Sequence, residues 1–309
     1  MRTRITAALS AACAGVLLGS AAIANAGTLT TVDDTIAADL AAALTAGGTG
    51  GITITSESLS TNSEEDLASS GLFSTAGTNN FGLTGSGVVI SSGDAAEDGT
   101  SGPFAEYLST QFGTDATAAQ TNLLNQVASA PGGWHDVTEL SITFDAAPTT
   151  DHVYFNTVFT SAEYPTYTGE FIDGFGLFLN GTNIAFAGGD PVNIDSPLMV
   201  NSGYPVDGGV DGTQYQTTPE GGVLVQDGSA VLTYGGAVTP GSTGNTLDFI
   251  IADANDSALD TTAFIQGLGN SSPISGNVPE PGALGLLGIG IAALAGLAGR
   301  RRKSASPAA

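Results

Sequence analysis

Between Gly27 and Gly299 the chain contains no lysine and no arginine. Its six basic residues, Arg2, Arg4, Arg300, Arg301, Arg302 and Lys303, stand in the terminal segments, while all thirty Asp and Glu residues lie between them. Nothing in that stretch can neutralise phosphates, so nucleic-acid binding is excluded. Arginine clamps for phosphoryl groups and lysine Schiff bases are excluded with it. A carboxylate buried there has no Lys or Arg partner and must rely on bound cations, backbone N–H groups or water. Cysteine is nearly missing as well: Cys13 is the sole one, inside the apolar N-terminal segment. The chain beyond it therefore has no disulfide, no thiolate metal site and no cysteine nucleophile. The formal net charge is −24, and only His135 and His152 add basic character to the acidic stretch.

What is present at the two ends reads as targeting. Arg2 and Arg4 precede an apolar, small-residue run from Ile5 to Ile23, and Ala24-Asn25-Ala26 supplies the small residues a signal peptidase needs before Gly27. Residues 1–26 are expected to be a cleaved secretory signal. At the other end, Val278-Pro279-Glu280-Pro281 is followed by an apolar run, 283–299, and the basic cluster 300–303. That run of about 17 residues is at the lower edge of what spans a hydrocarbon core of ~30 Å. Gly285, Gly288, Gly290, Gly296 and Gly299 weaken it further as a helix. The basic cluster would stay cytoplasmic by the positive-inside bias.

This order of proline-rich motif, apolar segment and arginine cluster resembles the PEP-CTERM sorting signal of Gram-negative bacteria. The resemblance implies recognition by a membrane-embedded exosortase and transient residence in the inner membrane. Cleavage near Pro279-Glu280-Pro281 and delivery to the cell surface or extracellular polysaccharide matrix would follow, with Arg300, Arg301 and Arg302 as the basic end of the signal. An ordinary C-terminal membrane anchor is the plainer alternative. Residues 271–277 form a linker before the motif and 304–309 a short tail.

The body, 27–270, reads as one all-β domain, a jelly-roll-like β-sandwich with one or two short helices. Alternating or β-rich runs recur at 51–55, 87–91, 140–144, 152–159, 175–179 and 246–251. Asn180-Gly181 between Phe175-Gly176-Leu177-Phe178-Leu179 and Asn183-Ile184-Ala185-Phe186-Ala187 is a two-residue hairpin signal. Helices are expected from Thr35, as a cap, to Leu44, and over Ala116–Ala128, where Leu123, Leu124 and Val127 share a face. Gly203 to Gly222 reads as a long surface loop, and Asp190-Pro191 and Asp195-Ser196-Pro197 as turns.

Three segments of this body resemble the choice-of-anchor L domain: Phe81 to Gly93, then Phe159-Thr160-Ser161-Ala162-Glu163-Tyr164-Pro165 with Phe171 to Leu179, then Ile251 to Ile265. Ala162 stands where a second acidic residue is common, Gly174 where an aliphatic one is, and Thr261 where serine is. The resemblance implies a surface-exposed or secreted protein and no enzymatic activity.

Two groups of acids invite a chemical reading. Asp253, Asp256 and Asp260 crowd what reads as one connection after an apolar strand, and Glu163 and Asp173 flank another loop, which can meet the first across a sandwich edge. Like charges so close need a counter-ion. Ca²⁺ supplies one, because it takes six to eight oxygen ligands. The alternative is solvated loop acids with Asx-turn roles. Glu163 and Asp173 also admit a reading as a glycosidase pair, which needs two acids ~5–9.5 Å apart around a sugar. Trp134, His135 and His152 read as structural, no Gly-x-Ser-x-Gly elbow positions a serine, and Gly85-Ser86-Gly87 precedes a strand, so it is no phosphate loop. The expected protein is an exported, non-enzymatic surface or matrix component, calcium-stabilised and associated with exopolysaccharide. A carbohydrate-binding or glycan-hydrolysing module is the alternative.

Overall fold

The structure is a computed structural model that describes residues 28–31, 37–64, 67–78, 82–95, 109–201 and 221–271. The signal segment, Thr35, residues 203–220 of the expected surface loop, most of the linker, and the sorting motif with its apolar and basic parts lie outside the described residues.

The elements in chain order are β1 (Thr28–Thr31), α1 (Ala37–Ala46), β2 (Ile52–Ser60), β3 (Ser63–Glu64), β4 (Leu67–Ala68), β5 (Ser70–Thr78), β6 (Thr84–Ser91) and α2 (Ala118–Leu124). They continue with β7 (Trp134–Ala146), β8 (His152–Ser161), β9 (Gly174–Leu179), β10 (Thr182–Asn183), β11 (Phe186–Ala187), β12 (Asp190–Pro191) and β13 (Met199–Asn201). The last four are β14 (Gly222–Leu224), β15 (Leu232–Ala237), β16 (Asn245–Ala254) and β17 (Thr261–Gly269). One sheet has eight strands in the order β1-β5-β6-β17-β8-β14-β13, with β15 also paired to β8. The second has five, β10-β9-β16-β7-β2.

Alternation explains how the sheets meet. Leu140, Ile142 and Phe144 of β7 and Leu247, Phe249 and Ile251 of β16 are buried in one core with Val88 and Ile90 of β6, Phe155 and Phe159 of β8, and Ala263 and Ile265 of β17. Residues at every second position of each strand thus point into the space between the sheets, which is the two-layer arrangement of a sandwich. Aromatic rings cross that space: Phe155 meets Phe249 edge-on at 5.4 Å, and Phe159 lies 6.3 Å from Phe175. Removing such a ring costs about 3–5 kcal/mol. Helix α1 joins the core through Leu40, Ala41 and Leu44, which share a helix face and pack with β17 and β6. Helix α2 covers the other face of the five-stranded sheet, where Leu124 and Val127 pack with Trp134, Phe178 and Ile250.

Several expectations are adjusted. Helix α2 is shorter than Ala116–Ala128, because Thr117 forms a capping box with Gln120 that sets its start, and i+3 bonds from Gln126 and Val127 tighten the chain out of the helix. The Asn180-Gly181 turn is present with both residues at positive φ (51° and 77°), but only Thr182 and Asn183 pair with β9. The Asn183 side chain then accepts hydrogen bonds from the Leu177 and Ala185 amides (3.3 and 3.0 Å) and diverts the chain. Phe186 and Ala187 pair instead with Pro191 and Asp190, so Asp190-Pro191 is a short strand rather than a turn. Gly85, Ser86 and Gly87 lie within β6, not before it.

Candidate functional site

Strand register gathers the acids at one end of the sandwich. In the eight-stranded sheet Thr261, the first residue of β17, pairs with Ser161, the last of β8, and Thr262 pairs with Ser91, the last of β6. In the other sheet Gly174, the first residue of β9, pairs with Ala252 of β16. Glu163 therefore follows β8, Asp173 precedes β9, Asp260 precedes β17, and Asp253 stands beside the last residue of β16. The expectation that Asp253 belongs to a connection is corrected: it is a strand residue, paired opposite His135 of β7.

Hydrogen bonds frame the cluster. Asp173 accepts from the Ala254 amide (2.8 Å) through Oδ1 and from the Thr261 hydroxyl (2.7 Å) through Oδ2. Thr261 and Ser92 bind each other twice, the Thr261 amide donating to Ser92 Oγ (2.9 Å) and the Ser92 amide to the Thr261 carbonyl (3.0 Å). Asp260 Oδ1 accepts from the Thr110 amide (2.8 Å), and its carbonyl accepts from Ala162 (3.0 Å). Asn255, at φ 77°, holds the connection before Asp256 by donating to the Glu170 carbonyl and accepting from the Gly132 amide, both at 2.8 Å. These bonds tie β6, β8 and β17 of one sheet to β9 and β16 of the other.

The electrostatics are severe. Asp173 and Asp253 are fully buried, Glu163 and Asp260 are 1% exposed, and Asp256 is half-buried. Burial drives the Glu163 carboxyl well above its ordinary range, and the nearby Asp173 and Asp256 carboxylates add to the rise. Burial likewise raises Asp173, although the Ala254 amide and the Thr261 hydroxyl oppose it. Asp253 is raised by burial first, then by Asp173, with Asp260 and Glu163 contributing. Asp256 is raised by burial and eased by the Ala258 amide and by His135.

Asp253 is the extreme case, because neither of its oxygens has a hydrogen-bond partner, and Glu163 Oε2 lacks one as well. The Ser92 hydroxyl lies close enough to ease the Asp253 charge but closes no hydrogen bond with it. A buried carboxylate without donors is among the costliest groups a fold can carry. Among the described residues no three His, Cys, Asp or Glu side chains are already arranged to hold one metal ion. The five acids form a chain of electrostatic neighbours, Asp260 to Asp253, Asp253 to Asp173 and Glu163, and these two to Asp256.

The remaining candidates are structural. Trp134 is buried in the α2 cluster and donates through Nε1 to Asn125 Oδ1 (3.0 Å). His135 pairs with Asp115 (3.0 Å), and His152 pairs with Asp151 (3.2 Å) and stacks on Tyr154. Glu163 and Asp173 are buried electrostatic neighbours, the Asp173 carboxylate adding to the rise of the Glu163 carboxyl. Sequence reasoning missed Asp136, a fully buried residue at φ 48° whose carboxylate accepts from the Phe112 amide (3.1 Å), the Thr114 amide (2.7 Å) and the Thr114 hydroxyl (3.2 Å). It also gave no role to Ser92, Thr261 or Gly93. The departure at Thr261 is mild in this light, since threonine or serine supplies the same hydroxyl to Asp173.

Fold and site together define an all-β, two-sheet domain with an uncompensated acidic centre at one end. The choice-of-anchor L domain model matches residues 29–270, and the chain belongs to that family. A second model, the PEP-CTERM protein-sorting motif, matches residues 277–303 and marks the chain as exported, with a C-terminal tail addressed to exosortase. Neither is a catalytic family. No curated protein and no solved structure matches the chain. Among the described residues no helix is long and apolar enough to cross a membrane.

Proposed function

We propose that this is a non-enzymatic surface or extracellular-matrix protein whose sandwich, jelly-roll-like in its winding, is stabilised by calcium outside the cell and associates with exopolysaccharide in a biofilm. Signal peptidase cuts after Ala26, the segment 283–299 holds the precursor in the inner membrane, and exosortase releases the domain near Pro279-Glu280-Pro281. The matched sorting motif supports the route.

The calcium reading is carried by one observation: Asp253 is fully buried, has no donor on either oxygen, and adjoins three other buried acids in a domain without Lys or Arg. A hard cation is the partner such oxygens suit. Because the acids come from both sheets, the ion staples the two layers together at the end where their strands converge.

The test is thermal unfolding of the full chain, purified in detergent, with Ca²⁺ and with EDTA. Saturation a hundredfold above Kd contributes about 2.7 kcal/mol, or roughly 5–11 °C for a domain of this size. Asp256→Ala and Asp260→Ala should shrink that response, and identical melting curves in calcium and EDTA would refute the reading. A glycan array and a polysaccharide-hydrolysis screen with calcium present separate the roles: hydrolysis of any polysaccharide would overturn the non-enzymatic assignment.

A further inference from the structure

We infer that the connection from α2 to β7 forms a binding site for a neutral, hydroxyl-rich saccharide segment. The inference rests on the exopolysaccharide reading above and gives it a place on the surface and a class of ligand.

The site is a cavity of about 480 Å³, lined by the polar side chains of Asn125, Gln126 and Ser129 and by the apolar ones of Val127, Ala130 and Pro131. Its volume falls within the range of about 300–1,000 Å³ usual for small-ligand sites. Asn125, Gln126 and Ser129 are exposed, whereas Val127 is buried.

The surrounding fold holds this lining in place. The Val127 carbonyl accepts from Asn193 Nδ2 (3.1 Å), the Gly132 amide donates to Asn255 Oδ1 (2.8 Å), and the Gly133 amide donates to the Ala130 carbonyl (3.0 Å). Val127 also sits against β9, where two glycines leave it room: a Cβ at Gly174 would fall 2.6 Å from Val127 Cγ1, and one at Gly176 would fall 3.1 Å from Cγ2. A site whose groups are already in position loses little freedom when a ligand arrives.

The polar groups suit sugar hydroxyls. Asn125 Oδ1 accepts from Trp134 Nε1 (3.0 Å), and because an indole N–H can only donate, that bond fixes which end of the amide is which. The Asn125 NH₂ is left to donate to a ligand. Gln126 and Ser129 can each both donate and accept, as each hydroxyl of a sugar does. Val127, Ala130 and Pro131 add apolar surface for the C–H faces of the ring.

Charge narrows the class further. No charged side chain lines the cavity, and the stretch between Gly27 and Gly299 holds thirty carboxylates without Lys or Arg. Phosphate, sulfate or uronate groups would meet repulsion and no counter-charge, so the ligand is a neutral saccharide. An extended peptide adds to a sheet through the main chain of an edge strand, and this cavity is built from a helix end and a loop instead.

Trp134 is the only tryptophan of the chain, so its emission reports on the site directly. The full chain, in Ca²⁺ and a detergent without a sugar headgroup, is titrated with oligosaccharides of glucose, mannose and galactose, with oligogalacturonate and an uncharged Gly/Ser peptide as comparisons. Calorimetry gives Kd beside the fluorescence. A saturable change in Trp134 emission is expected with at least one neutral series. Gln126→Ala combined with Ser129→Ala should weaken that binding about tenfold through the loss of two hydrogen bonds, with Tm unchanged because both residues are exposed. Glu57→Gln, in the exposed strand β2, should bind as the parent does. Parental binding by the double variant overturns the placement and leaves exopolysaccharide association standing. Binding of oligogalacturonate alone, or of the peptide alone, overturns the ligand class, and a chain that binds no saccharide overturns both the inference and the reading beneath it.

Discussion

Replacing Gly93 by alanine tests the acidic centre from the outside, because the change adds one methyl group and alters no charge. Gly93 has no positive φ, so its backbone suits alanine, and the whole effect comes from where the new Cβ falls. That Cβ would overlap the Asp260 carboxyl group, with both oxygens and Cγ as its three nearest atoms. Asp260 has to leave its seat, breaking its bond from the Thr110 amide and carrying its charge away from Asp253. Overpacking of this kind costs about 1–3 kcal/mol, and a hydrogen bond to a charged group contributes about 1.5–3 kcal/mol. The two overlap, so a net loss of about 2–4 kcal/mol is expected in EDTA, roughly 4–16 °C in Tm. In calcium the gap should widen, because the unaltered protein gains about 2.7 kcal/mol at a hundredfold excess over Kd while the variant gains less. Gly47→Ala is the control, since a Cβ there meets only Gly267 backbone atoms at 3.8 and 4.0 Å. Paired melting scans with and without Ca²⁺ measure both effects. A Gly93→Ala protein that melts with the parent in EDTA refutes the packing argument, and one that gains as much from calcium refutes a ligand role for Asp260.

In EDTA the domain should melt at a higher temperature near pH 4.5 than near pH 7.5. Glu163, Asp173 and Asp253 have folded-state pKa values raised above their unfolded ones, so the stability they contribute is complete below the unfolded values and is lost as pH rises towards the folded ones. Calcium should flatten this slope, and a metal-free domain that gains stability with rising pH would contradict the assignment. Asp136→Asn keeps a residue that tolerates positive φ but removes the carboxylate that holds Phe112 and Thr114. A loss of about 1–3 kcal/mol in urea unfolding is expected, with the calcium response intact. For the address, Pro279→Ala combined with Glu280→Ala should leave uncleaved, membrane-retained protein in an exosortase-bearing host, and release of the double variant at the normal rate would count against exosortase processing.

How far these features can be read from the chain depends on whether the cause is local. Leu140, Ile142 and Phe144 announce β7 by alternation alone, and all three lie in the core. The same strand begins at Trp134, where the pattern fails because Asp136 turns to φ 48° and the pairing with β16 slips between Ile251 and Asp253. Asp253 misleads for a related reason. An acid after Ile250-Ile251-Ala252 reads as the end of a strand, since charged residues are seldom fully buried, yet the ladder runs on through Ala254.

The absence of Lys and Arg is plain in composition, and from it follows that any buried acid needs another kind of partner. Composition cannot say which acids find one. Asp136 and Asp173 are both fully buried and both receive donors, the first from Phe112 and Thr114, the second from Ala254 and Thr261. Asp253, equally buried, receives none. The difference is set by register between strands far apart in sequence, Thr261 against Ser161 and Ala252 against Gly174, which places donors beside one carboxylate and more carboxylates beside the next. A deficit of positive charge spread over the whole chain is thereby concentrated at one strand end, and that is where a cation has the most to stabilise.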